Sequence, residues 1–320
     1  MTIRLLTLLA ALAFATGATA EPWTEREVTI DGGLAPLHGT LTLPKGTAPA
    51  DAALILSGSG PTDRNGNYPE GNNNSLLMLA HGLAAEGIIS LRIDKRGVLA
   101  SRDAAPKEED LRAETYVEDA VSWLGFLENQ PRTRRLFLIG HSEGALVATL
   151  AAKSKPVAGL VLIAAGGRPA PVILREQLAA GNLPADLRRR SDAILAKLER
   201  GETDAAVPRE LEALYRPSVQ PYLISWFKYD PAAELAKLTM PVLLIRGTHD
   251  LQVRQADADA LAAARPDARF LAIEDMNHVL KIAPADRAEN IRFYSDPEAP
   301  LAPGLVAAVA GFIAGTGKGN

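Results

Sequence analysis

Residues 135–149 read RLFLIGHSEGALVAT, and the centre of that run is Gly140-His141-Ser142-Glu143-Gly144. On the amino side, Arg135–Ile139 is a short apolar segment of the kind that forms a buried strand. On the carboxyl side, Ala145–Lys153 is built from strong helix formers. A serine between them sits on a sharp turn at the carboxyl end of a sheet, with its hydroxyl pushed out of the chain. Only glycine at the flanking positions lets strand and helix approach closely enough for that turn, which makes Ser142 a candidate nucleophile. The competing reading is a Gly-rich strand–helix turn whose serine only caps the helix.

The rest of the chain has the rhythm such a turn requires. Glu27–Ile30 and His38–Leu43, joined by Asp31-Gly32-Gly33, predict an antiparallel opening. Apolar runs then follow at Ala52–Leu56, Ile88–Ile93, Leu136–Ile139, Leu160–Ile163, Val242–Ile245 and Phe270–Ile273. They alternate with helix-like stretches at Leu76–Ala85, Tyr116–Glu128, Ala145–Lys153, Ala256–Ala264 and Leu305–Ala314. Continuously apolar strands alternating with helices predict an α/β fold, a mostly parallel central sheet covered by helices on both faces. The alternation breaks once, between Arg168 and Leu238, where prolines at 169, 171, 184, 208, 217 and 221 permit only short helices. That stretch, residues 169–237, reads as a helical cap inserted into a core formed by residues 21–168 and 238–320.

Composition narrows the function classes. Residues 1–20 read as an export signal: Arg4 gives a positive start, Leu5–Ala15 an apolar stretch too short to span a bilayer, and Ala18-Thr19-Ala20 a cleavage site. A periplasmic or secreted protein without a stable membrane anchor is expected, cleaved after Ala20. No cysteine occurs anywhere, which removes disulfides, thiolate metal sites and cysteine nucleophiles. A net charge of −4 offers no electrostatic case for nucleic acid. No metal-binding or nucleotide-binding motif is present, so neither metal nor cofactor is expected.

A serine nucleophile needs a base, and the base needs an orienting carboxylate. Val242–Ile245 leads into Arg246-Gly247-Thr248-His249-Asp250, and Phe270–Ile273 into Glu274-Asp275-Met276-Asn277-His278. Both loops follow strands, so Ser142, Asp250 and His278 would emerge along one sheet edge, where open α/β folds place their sites. Of the five histidines, His38 lies in a strand region, His81 in a helix, His141 in the turn itself and His249 beside the candidate acid. That leaves His278 as the base. Glu274 and Asp275 rival Asp250 as the acid but lie close to His278 along the chain.

The oxyanion formed on attack needs two backbone N–H donors. Glu143, directly after the nucleophile, supplies one. The loop after Ala52–Leu56, beginning Ser57-Gly58-Ser59-Gly60-Pro61, supplies the other from Ser59; a plain flexible loop is the alternative there. Gly58-Ser59-Gly60 also starts a dinucleotide fingerprint, but the third glycine is missing and Pro61 follows. Asp94-Lys95-Arg96-Gly97 reads as a structural turn with an internal ion pair. Tyr215, Tyr222, Trp226, Phe227 and Tyr229 either dock the cap on the core or wall an acyl pocket, and Tyr222, Trp226 and Phe227 are the pocket candidates.

Taken with those residues, the chain resembles the α/β-hydrolase superfamily, and within it bacterial serine esterases of the lysophospholipase and serine-aminopeptidase-like branch. The resemblance rests on Ser57–Asn65, Asp94–Gly97, Gly140–Gly144, Trp226–Pro231, Gly247–Asp250 and Met276–His278, and spans nearly all of the chain after residue 20. It implies a Ser142–Asp250–His278 triad, hydrolysis of short-chain carboxylic esters as small-molecule substrates, and no cofactor. An aminopeptidase, amidase or thioesterase using the same triad is the alternative, with Arg175, Glu176 and Glu234 as charged candidates for holding a peptide terminus. An inactive binding protein on the same scaffold is a further one. Ser57 departs from the pattern, standing where many relatives carry the histidine of a His-Gly motif.

Overall fold

The computed structural model of the protein describes residues 21–181 and 183–317. The export signal expected over residues 1–20 lies outside the described residues. Eight strands form one sheet: β1 (Trp23–Ile30), β2 (Leu37–Pro44), β3 (Ala50–Leu56), β4 (Ile89–Ile93), β5 (Thr133–His141), β6 (Gly159–Ile163), β7 (Val242–Gly247) and β8 (Arg269–Ile273). Their spatial order is β1-β2-β4-β3-β5-β6-β7-β8. β1 pairs antiparallel with β2 and β2 with β4, while every other pairing is parallel.

The helices of the core are α1 (Ser75–Ala85), α2 (Ala113–Glu128) and α3 (Glu143–Ser154). After it come α4 (Ala170–Ala180), α5 (Ala185–Glu199), α6 (Glu212–Tyr215), α7 (Gln220–Trp226) and α8 (Pro231–Leu235), then α9 (Gln255–Ala264), α10 (Arg287–Arg292) and α11 (Leu305–Gly315). The apolar strands alternate between two buried faces. Leu54, Leu138, Leu162 and Leu244 face α2, α3 and α9, with Trp123, Ala148 and Leu261 opposite them. Ile55, Ile139, Ile163 and Ile245 face α1 and α11, meeting Leu79, Leu83 and Val309. Both faces being covered is why these strands carry no polar alternation. β8 differs: Phe270 is 44% exposed, because β8 is the last strand of the sheet and one of its faces is uncovered.

The chain leaves β3 toward β4 and returns on the other side to β5, so the direction of winding reverses between β3 and β5. A crevice opens at the carboxyl ends of strands at such a reversal. The Ser57–Gly60 loop and the β5–α3 turn stand on its two sides.

Between β6 and β7 the structure holds helices only. Pro171, Pro217, Pro221 and Pro231 sit in the first turns of their helices, so these prolines begin helices as well as separating them. The insertion has its own apolar centre of Ile194, Leu195, Leu198, Leu211, Tyr215 and Leu223. α8 is packed on α3 and α9 of the core. Arg168 ties the start of the insertion down, reaching Glu176 on α4 and buried Asp257 on α9.

Backbone contact at the β5–α3 turn leaves no room for side chains. A methyl group on Gly144 would lie 2.4 Å from the Leu56 carbonyl oxygen and 2.6 Å from that of Ser57. Gly125 on α2 has nothing within 4 Å of the same position. Gly144→Ala is therefore expected to destabilise the fold by about 3 kcal/mol or more. Gly125→Ala should be neutral or stabilise by up to ~1 kcal/mol through helix propensity. Denaturant unfolding of the two variants measures the contrast.

Candidate active site

Ser142 occupies the β5–α3 turn with φ +54° and ψ −122°, a backbone conformation that L-residues seldom adopt. It is held there by a bond from its N–H to the Ile163 carbonyl (3.0 Å) and by the Ala145 N–H donating to its own carbonyl (3.0 Å). Its side chain makes no capping bond to α3, so the helix-cap reading of this serine fails. Gly140 permits the turn, since a methyl there would meet the Ala145 nitrogen at 2.6 Å. Strain retained by surrounding packing is characteristic of functional positions.

His278 and Asp250 meet on the same edge. His278 Nδ1 lies 2.9 Å and 3.1 Å from the two Asp250 carboxylate oxygens, and both side chains are buried. A carboxylate only accepts, so Nδ1 carries the proton and Nε2 is left with a free lone pair. Burial raises the Asp250 carboxyl, but His278 and the N–H groups of Val253 and Gln252 more than offset it and hold it below its ordinary value. The rival acids point elsewhere: Glu274 is exposed, and Asp275 lies 3.3 Å from His249 Nε2. No hydrogen bond joins Ser142 Oγ to His278 in this structure; such contacts commonly close only with substrate bound.

The His278 loop is pinned from several sides. The Asn277 N–H donates to the Lys281 carbonyl, the Lys281 N–H donates back to Asn277 Oδ1, and the Asn277 amide reaches buried Asn290, which in turn donates to the carbonyls of His249 and Pro284. His141 supports the loop from within the turn, its Nε2 donating to the His278 carbonyl at 2.8 Å. Burial, and secondarily the neighbouring His278, push the His141 pKa down to about 4. It is a neutral support and makes no approach to Ser142 as a base.

The Ser57–Asn67 loop is built rather than slack. Ser57 Oγ donates to the Thr62 carbonyl, the Asp63 carboxylate accepts from the N–H groups of Asn65 and Asn67, and Arg64 clamps Asp94 at 2.7 Å. Gly58 packs against Ser142: a methyl there would lie 3.1 Å from the Ser142 Cβ. The expected internal ion pair in Asp94–Gly97 does not form. Consecutive residues on the short turn diverge, sending Asp94 to Arg64, Arg96 to Asp119, and Lys95 into the crevice. Reading this segment as a structural turn leaves Lys95 without a role of its own, because the sequence shows the opposite charges flanking it but not where its side chain points.

A cavity of about 370 Å³ opens over Ser142. Ser59, Gly60 and Glu143 form its floor, and Tyr116, Tyr222 and Trp226 are among its walls. Phe227 does not line it; that side chain packs against the apolar centre of the cap, as Tyr222 and Trp226 also do. The Tyr222 hydroxyl donates to the Glu143 carboxyl, joining cap to turn. Burial raises the Glu143 pKa, opposed by the charge of Lys95. Among the described residues no group of three His, Cys, Asp or Glu side chains is arranged to hold a metal ion, and no helix is long and apolar enough to cross a membrane.

Residues 53–291 match the alpha/beta hydrolase family. The chain belongs to that family. Among curated proteins it is 31% identical over 270 residues to Esterase EstD of Thermotoga maritima, a match covering 81% of this chain and 61% of that esterase. The chain thus aligns with less than two thirds of that relative's length. Among solved structures, this family member is similar to Est1E from Butyrivibrio proteoclasticus, with a TM-score of 0.59 at 16% identity over 91% of this chain and 98% of the other. It is also similar to dienelactone hydrolase from Anabaena variabilis, with a TM-score of 0.52 at 19% identity over 92% and 97%. Likeness at that level of identity speaks to the fold.

His141 gives the site an acid-sensitive support. Below an unfolded pKa near 6.5 the unfolded chain takes up a proton that folded His141 refuses until about 4. Its contribution is complete above pH 6.5 and is lost as pH falls toward 4, amounting to about 3 kcal/mol. His141→Gln is expected to flatten the thermal-stability profile between pH 7 and 4 relative to the parent; equal slopes would count against this account.

Proposed function

We propose that this hydrolase is a serine carboxylesterase acting on small, short-chain esters through an acyl-enzyme on Ser142. The observation that carries the reading is His278, its Nδ1 held by buried Asp250 and its Nε2 free, on the same sheet edge as a serine held at positive φ. In the first step His278 Nε2 takes the Ser142 proton while Oγ attacks the ester carbonyl carbon. The N–H groups of Ser59 and Glu143 stabilise the resulting oxyanion, and Asp250 stabilises the imidazolium. The imidazolium protonates the leaving alcohol. Water, deprotonated by the same histidine, then attacks the acyl-enzyme and frees Ser142.

The cavity, near the lower end of the range for small-molecule sites, supports small acyl and alcohol parts. The charged cap residues that a peptide terminus would need are already engaged. Arg175 pairs with Glu199, Glu176 with Arg168, and Glu234 with Lys153 and Lys237. That favours an uncharged ester over a peptide. The sequence of residues 1–20 supports a further part of the proposal, export to the periplasm or medium with cleavage after Ala20. Mass measurement of the protein from cell fractions tests it, with Glu21 expected as the first residue.

Short-chain nitrophenyl esters are expected to be cleaved, and a fluorophosphonate probe to label the protein. Ser142→Ala should abolish both, while Asp250→Asn should lower kcat by about 10³–10⁴ with little change in KM. Amino-acid anilides or thioesters turned over faster than oxygen esters would overturn the substrate assignment, and absence of labelling would favour a binding role.

A further inference from the structure

Lys95 is half-buried in the cavity wall, on the loop after β4, and does none of the work just described. Its Nζ donates to the Gly58 carbonyl at 2.5 Å and to the Gly60 carbonyl at 2.5 Å. These two carbonyls bracket Ser59. Its Nζ also lies 5.8 Å from the centre of the Tyr116 ring, a cation–π distance. Among the described residues no carboxylate stands within ion-pair distance of Lys95. The charged and titratable groups facing it are Glu143 at the start of α3, Tyr116 on α2 and, behind Glu143, Tyr222 on α7. Its neighbours Asp94 and Arg96 are turned away to Arg64 and Asp119.

The geometry of the peptide bond gives this contact a consequence. The Gly58 carbonyl and the Ser59 N–H belong to one planar trans unit, so they point in opposite directions. An ammonium holding the carbonyl sets the direction of the N–H. It also polarises the amide, which strengthens the N–H as a donor. This peptide cannot rotate without breaking a charge-assisted bond, and the second bond anchors the loop at the Gly60 carbonyl, just beyond Ser59.

We propose that Lys95 is a positioning residue for acyl transfer: by clamping Gly58 and Gly60 it aims and polarises the Ser59 N–H toward the developing oxyanion. The inference rests on the reading of Ser59 as an oxyanion donor. It requires the ammonium form. Burial holds the Lys95 pKa below its ordinary 10.5, so activity should decline as pH rises through that depressed value.

The test compares the wild-type enzyme with K95M and K95R, using a short-chain nitrophenyl ester and a trifluoromethyl ketone transition-state analogue. K95M is expected to lower kcat by about 10- to 100-fold while KM stays within about threefold, and to weaken the analogue by the same factor as kcat/KM. K95R, whose guanidinium can hold both carbonyls, should recover most of the loss and move the alkaline decline out of range. A K95M enzyme with kcat and analogue affinity within about twofold of wild type overturns the proposal. So does a loss confined to KM. Should K95M fail to fold, the pH profiles of wild type and K95R decide, and identical alkaline limbs overturn it. A wild-type protein inert to both ester and fluorophosphonate would instead overturn the acyl-transfer reading itself, and this inference with it.

Discussion

The arrangement depends on one close approach of backbone to backbone, where α3 begins against the end of β3. Gly144 has no side chain because the carbonyls of Leu56 and Ser57 occupy the space one would need, and Gly140 is squeezed by the first turn of α3. That contact forces the intervening residue to positive φ, which carries the Ser142 side chain out of the sheet. It also fixes what lies next to that side chain. The loop leaving β3 has no choice but to pass Ser142, and Gly58 lets it do so at van der Waals distance. The positions of the proposed nucleophile and of the proposed oxyanion loop are thus consequences of one packing constraint, and the strain at Ser142 is borne by two backbone bonds and a sheet buried on both faces.

Charge in this protein serves mainly as fastening. Arg64 reaches Asp94 and Glu27, Arg92 reaches Glu25, and Arg96 reaches Asp119, so the antiparallel hairpin, the Ser57–Asn67 loop and α2 are drawn to the carboxyl end of β4. Arg168 does the same for the cap through Asp257. Buried pairs of this kind contribute little net stability but are costly to break singly, so they favour one arrangement over others. A second result is that the arginines around the cavity are neutralised by near carboxylates. Arg96, Arg168 and Arg216 all line it, and all are paired. Among the described residues lining the cavity, Lys95 is the cation left to act on the loop.

Much of the fold was legible because strands buried on two faces leave uninterrupted apolar runs, and helices between them keep their own period. β3, β5, β6 and β7 formed where those runs lie. Phe270 was misjudged as interior since a run of apolar letters does not reveal that its strand closes the sheet. Single turns such as Leu99–Ala104 and Glu108–Asp110 have too few residues to show a period. At the site, Ser142, Asp250 and His278 could be read because each sits just past a strand, and Glu274 and Asp275 could be set aside because they lie too near His278 along the chain. Direction, which spacing does not carry, decided Lys95 and Phe227. Neighbours along a chain point apart, so Asp94, Lys95 and Arg96 have three unrelated partners, and of the adjacent Trp226 and Phe227 only Trp226 lines the cavity.

The cap completes the chemistry rather than merely covering it. Tyr222 bonds the side chain of Glu143, whose own N–H is the second donor proposed for the oxyanion, and its ring meets Tyr116, over which Lys95 lies. Each of the two proposed donors is therefore backed by a polar contact behind it: Ser59 by an ammonium, Glu143 by a phenol from the cap. Burial favours the neutral form of Glu143 because a carboxylate there would lose its hydration, and a neutral carboxyl places no negative charge beside the proposed oxyanion.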